Sequence, residues 1–77
     1  MNTLVWSAGP HRYDVTAGAK TIVGHIWIRM DEVTIEPIPH MVLEGLSAGP
    51  YASLDDAMAA IAEHTTGTCA PGRANDQ

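Results

Sequence analysis

From Thr21 to Met30 the chain alternates two kinds of side chain, and this run constrains the fold more than any other. Ile22, Gly24, Ile26, Ile28 and Met30 occupy the even positions; Thr21, Val23, His25, Trp27 and Arg29 occupy the odd ones. A period of two marks a β-strand with one buried side. The even set is apolar and is expected to face a core. The odd set is mixed, as on the open face of an antiparallel sheet. A strand of this kind leaves its backbone groups unpaired unless neighbours supply partners, so the rest of the chain must build a sheet around it.

The flanking segments read as those neighbours. Thr3-Leu4-Val5-Trp6-Ser7 is β-prone and is stopped by Gly9-Pro10, a turn pair. Arg12-Tyr13-Asp14-Val15-Thr16 alternates again, and Ala17 to Lys20 supplies a turn in which Gly18 can take positive φ. Beyond the polar Asp31-Glu32, Val33-Thr34-Ile35 can extend the pairing briefly. Pro37 and Pro39 lack backbone donors, which confines 32–40 to an edge or a loop. His40 to Glu44 is read as a fourth strand, although a short helix fits the same apolar run. Gly45, Gly49 and Pro50 bound a second loop.

One helix is expected, beginning after Ser53. A serine N-cap followed three residues later by Asp56 is a variant of the capping box, and Asp55 and Asp56 suit the positive end of the helix dipole. Leu54, Ala57, Met58, Ile61 and Ala62 fall on one stripe. Thr65-Thr66-Gly67 ends the helix, with Gly67 expected at C′. From Gly67 onward nothing is periodic. The expectation is a single domain over residues 1–66 and a disordered tail over 67–77. Its class is α+β: a three- to four-stranded antiparallel sheet with one C-terminal helix packed on one face.

Short strands followed by Tyr51-Ala52-Ser53-Leu54-Asp55-Asp56-Ala57-Met58-Ala59-Ala60-Ile61 resemble small uncharacterised bacterial and phage domains. In these, an aromatic residue and a Ser-Leu-acid-acid-Ala start open a helix that packs on a β-meander. The resemblance implies that residues 3–66 form such a unit, with Tyr51 in the core or at its rim. It implies no catalytic residue. The proline-containing stretch 32–40 departs from a simple meander.

Composition narrows the function classes. Val, Ile and Leu number 15 of 77 residues, Phe is absent and eleven Ala contribute little burial, so the core must be thin. That excludes a multidomain enzyme. The longest apolar run, Ile26-Trp27-Ile28, is far too short to span a bilayer. The single Cys69 excludes a disulfide-stapled miniprotein and reads as an incidental thiol in a reducing compartment. No secretory leader pattern opens the sequence, and a cytoplasmic location is the expectation.

The net charge of −5 is unevenly spread: residues 1–30 carry +2 and residues 31–66 carry −7. An acidic chain with four Lys and Arg makes few phosphate contacts, which disfavours nucleic acid as a partner. Nucleic-acid association through the mildly basic first half stands as an alternative.

Little in the sequence supports catalysis. His11, His25, His40 and His64 share no ligand spacing and no Cys-x-x-Cys accompanies them, so no metal site is expected. Asp55 and Asp56 diverge by about 100° on a helix and are explained by capping. Ser7, Ser47 and Ser53 have no nucleophile-elbow context, and no glycine-rich phosphate loop occurs. No cofactor, no small-molecule substrate and no catalytic residue are assigned. A small enzyme using His25 or His40 is the weakest alternative.

The strongest candidate is the outward side of the central strand: Val23, His25, Trp27 and Arg29, with Arg12 as a second cation on the same face. Trp and Arg dominate binding hot spots. The reading is a non-catalytic interaction module that self-associates, as a homodimer for example, or docks on a protein partner through its sheet face.

Overall fold

The alternating segments pair as strands, in a computed structural model that describes residues 1–18 and 21–72. In chain order the elements are β1 (Asn2–Gly9), β2 (Arg12–Ala17), β3 (Thr21–Arg29), β4 (Glu32–Pro37), α1 (Leu54–His64) and β5 (Thr68–Pro71). They form an α+β domain with one five-stranded sheet in the order β4-β3-β2-β1-β5. The first four strands are an antiparallel meander; β5 runs parallel to β1. The sheet is therefore mixed and one strand larger than expected.

Two segments differ from their sequence reading. Thr68–Pro71, expected in a disordered tail, is a strand: the Thr68 N–H donates to the Met1 carbonyl at 3.0 Å and the Gly72 N–H to the Val5 carbonyl at 2.7 Å. Its pairing is non-local, so no periodicity within four residues could announce it. The tail expectation for 73–77, and that for Ala19 and Lys20 in the β2–β3 turn, lie outside the described residues. His40–Glu44 is not a strand. Successive turns carry it, with Met41, Glu44 and Leu46 N–H groups donating to Ile38, Met41 and Leu43 carbonyls. They lower Leu43, fully buried, into the core. The short strand Val33-Thr34-Ile35 lengthens to β4 and takes the edge, as its prolines require.

The face assignment of β3 is corrected by a bulge. Val15 pairs with Gly24 but Thr16 pairs with Ile22, so Val23 is an extra residue opposite β2. Before it Ile22 points outward and is 40% exposed; Val23 turns inward and is 3% exposed. Ile26 and Ile28 follow on the core side. Met30 sits at the tip of the β3–β4 hairpin at φ 55° and is 97% exposed. The even set is thus core only at Gly24, Ile26 and Ile28, and Val23 leaves the outward set.

The core lies on one side of the sheet: Val5, Val15, Ala17, Val23, Ile26, Val33 and Ile35 from strands, Leu43 from the turns, and Ala57, Met58 and Ile61 from α1. Tyr51 packs at its rim. The helix starts as expected, with Ser53 Oγ accepting the Asp56 N–H at 3.1 Å. Its end differs. Thr65 is the C-cap, Thr66 adopts φ 51°, and the Thr66 and Gly67 N–H groups return to the Glu63 and Ala62 carbonyls, a Schellman motif. The left-handed residue is Thr66, because Gly67 has another duty. A Cβ at Gly67 would collide with the backbone of Met1, where β5 enters beside β1. Among the described residues no helix is long and apolar enough to cross a membrane.

Candidate functional site

Register across the meander arranges the outward face in rows. Trp6 pairs with Asp14, Asp14 with His25 and His25 with Glu36; Arg12 pairs with Trp27, and Trp27 with Thr34. The sheet therefore brings together Arg12, His25, Trp27 and Arg29, four of the five sequence candidates. Val23 is excluded by the bulge.

The rows are held by polar contacts. Asp14 Oδ1 lies 2.8 Å from His25 Nδ1 and 3.5 Å from Arg12 Nε. An ionised carboxylate only accepts, so Nδ1 carries the proton and Asp14 fixes the tautomer of His25. The Trp27 indole N–H donates to Glu36 Oε1 at 2.9 Å. The guanidinium carbons of Arg29 and Arg12 lie 5.2 and 5.8 Å from the Trp27 ring centroid, within cation–π range. Trp27 is only half-buried. At this end of the sheet the β1–β2 turn forms a shallow groove of about 330 Å³, lined by Ala8, Gly9, Pro10, His11, Arg12 and Trp27.

The second tryptophan is treated differently. Trp6 donates its indole N–H to Thr16 Oγ1 at 2.8 Å, and Gly72 lies so close that a Cβ there would meet the ring at 2.5 Å. The chain after β5 thus covers Trp6. Beside Trp27, β4 contributes Glu36 and Thr34.

The sequence places neither Asp14, Glu36 nor the groove residues 8–11 in this site. The signal for Asp14 and Glu36 is register: with the turn at Gly18 and the hairpin at Met30–Asp31, both carboxylates fall opposite His25.

For catalysis, the Asp14–His25 pair has the form of an oriented base; a covalent mechanism would also need a nucleophile within its hydrogen-bond reach. The serines are engaged elsewhere: Ser47 Oγ accepts from the Gly49 N–H, Ser53 caps α1, and Ser7 belongs to the other side of β1. His40 is exposed in the turns after β4 at φ 66°. Among the described residues no three His, Cys, Asp or Glu side chains are grouped to hold a metal ion. The face presents an aromatic surface, two guanidiniums and a groove with apolar walls.

Comparison with protein-family models, with curated proteins and with solved structures finds no match for this chain.

Proposed function

We propose that this chain is a small non-catalytic interaction module that docks a protein partner through the open face of its sheet, with Trp27 as the anchor. The observation that carries this is the half-buried Trp27 indole, with the guanidiniums of Arg12 and Arg29 within cation–π range of its ring, on the face opposite the helix. Trp, Arg and Met concentrate at the centres of interfaces, and Met30 stands exposed at the neighbouring hairpin tip.

The two sheet edges support the face as the docking site, because both are poor templates for an added strand. Ile35 N–H donates to the Ala48 carbonyl and Tyr51 N–H to the Val33 carbonyl, which occupies the outer edge of β4. The outer edge of β5 is four residues long and carries Pro71.

A photo-cross-linking residue placed at Thr34, beside Trp27, tests the reading against one placed at Ala59 on the exposed side of α1. The expected result is an adduct with a protein from Thr34 alone, lost with Trp27→Ala. Equal adducts from both positions, or none from Thr34, remove the sheet face from consideration. An adduct of twice the chain's mass identifies the partner as a second copy.

A further inference from the structure

We propose that the partner's recognised feature is a single carboxylate side chain adjoining an apolar one, an inference that rests on the docking role just described. Among the described residues neither guanidinium beside Trp27 makes a hydrogen bond, and Arg12 has only its long ion pair with Asp14. Among the described residues Arg29 has no ion pair within 4.0 Å, although Glu32 faces it in register. Arg12 Nε is buried and makes no hydrogen bond; the nearest acceptor, Asp14 Oδ1, is 3.5 Å away and already engaged by His25 at 2.8 Å. A guanidinium satisfies a carboxylate through two parallel N–H bonds; beyond its buried Nε the Arg12 side chain is 42% exposed, and Arg29 is exposed. Next to them the groove walls of Ala8, Gly9 and Pro10 are apolar, and about 330 Å³ accommodates one or two side chains.

Charge selects among anions. Asp14, Glu32 and Glu36 border the patch, and the chain as a whole carries −5. An isolated carboxylate fits between these fixed negative charges. A run of phosphates, as on a nucleic acid, would meet them. A second copy presenting the same face would set Arg12 and Arg29 against their own duplicates and bring two chains of −5 together.

The test is selection from a random-peptide display library on the full chain at physiological ionic strength, followed by affinities of the selected peptides in solution. Expected are peptides with Asp or Glu beside a large apolar residue. Changing that acid to its amide weakens binding by about tenfold or more. The paired change Arg12→Gln with Arg29→Gln has the same effect, and the amide peptide loses nothing further on that variant. Circular dichroism confirms that the variant is folded, and Glu63→Gln on the helix leaves binding unchanged. If binders depend on Trp27 but not on the arginines or the acid, the carboxylate inference fails while the docking role stands. If no peptide is enriched, or none depends on Trp27, both fail. If a thymidine oligonucleotide binds through the arginines and the peptides do not, the anion is a phosphate and the proposal is overturned.

Discussion

Leu43 Cδ1 stands where a side chain on Gly24 would begin: a Cβ built at Gly24 lies 2.8 Å from it and 3.1 Å from the Glu36 carbonyl oxygen. The absence of one methyl group on β3 is what lets the turns after β4 close over the sheet. Gly24→Ala must push Leu43 out or shift the β3–β4 backbone, and is expected to cost about 1–3 kcal/mol. Leu43→Ala, at a fully buried site, costs about 2–5 kcal/mol. Because both changes act on the same space, urea melts should give the double variant a loss well below the sum of the two. Strict additivity would show that the two residues are not in contact.

The β3 bulge makes the two neighbours Ile22 and Val23 unequal. Ile22 is 40% exposed, so Ile22→Thr is expected to change stability by less than about 0.5 kcal/mol. Val23→Thr keeps the shape but buries a hydroxyl among apolar groups, at a cost of about 1–3 kcal/mol. Denaturant midpoints decide the matter. The reverse order would restore the simple alternation and return Val23 to the outward face.

These two sites also show what the sequence made legible. Strand-forming alternation and the Ser53 cap are local signals, and the meander, the helix start and the edge position of the proline-containing segment all follow from them. The bulge is not local: nothing within β3 says that Val15 and Thr16 of β2 will straddle Val23. A one-residue slip exchanges faces, so this event alone moved Val23 out of the candidate site while His25, Trp27 and Arg29 stayed in it. The same limit hid β5, whose partner β1 is more than sixty residues away, and the pairing of Asp14 with His25, which exists only once the register is known.

Cys69 gives the fold a pH dependence of known sign. Burial pushes its thiol above the ordinary value of 9.0, partly offset by the neighbouring Thr3 hydroxyl. The native chain therefore holds this proton to higher pH than the unfolded chain. Its contribution to stability is complete below the unfolded value and is lost as pH rises through the folded one. Urea melts from about pH 8 to about pH 11 should show wild type losing more stability than Cys69→Ala, after normalising each to its value at about pH 7. Parallel curves would exclude this origin. Iodoacetamide should likewise alkylate native Cys69 more slowly than the unfolded chain at equal pH.

Thr66 and Gly67, at the end of α1, predict opposite outcomes for substitutions one residue apart. Thr66 holds φ 51°, a conformation unfavourable for a β-branched side chain, and its hydroxyl bonds only to the adjacent Thr65 carbonyl. Thr66→Gly removes that strain at the cost of a more flexible unfolded chain, for a net gain of about 0.5–1 kcal/mol. Gly67→Ala restores good geometry to no one: its Cβ meets the Met1 backbone, and relief requires β5 to withdraw from β1. The loss should exceed about 2 kcal/mol and be accompanied by faster amide exchange at Thr68 and Gly72, whose N–H groups donate to Met1 and Val5. Melting curves with hydrogen exchange at these two amides read both effects. A stabilising Gly67→Ala would show that the approach to Met1 does not demand glycine there.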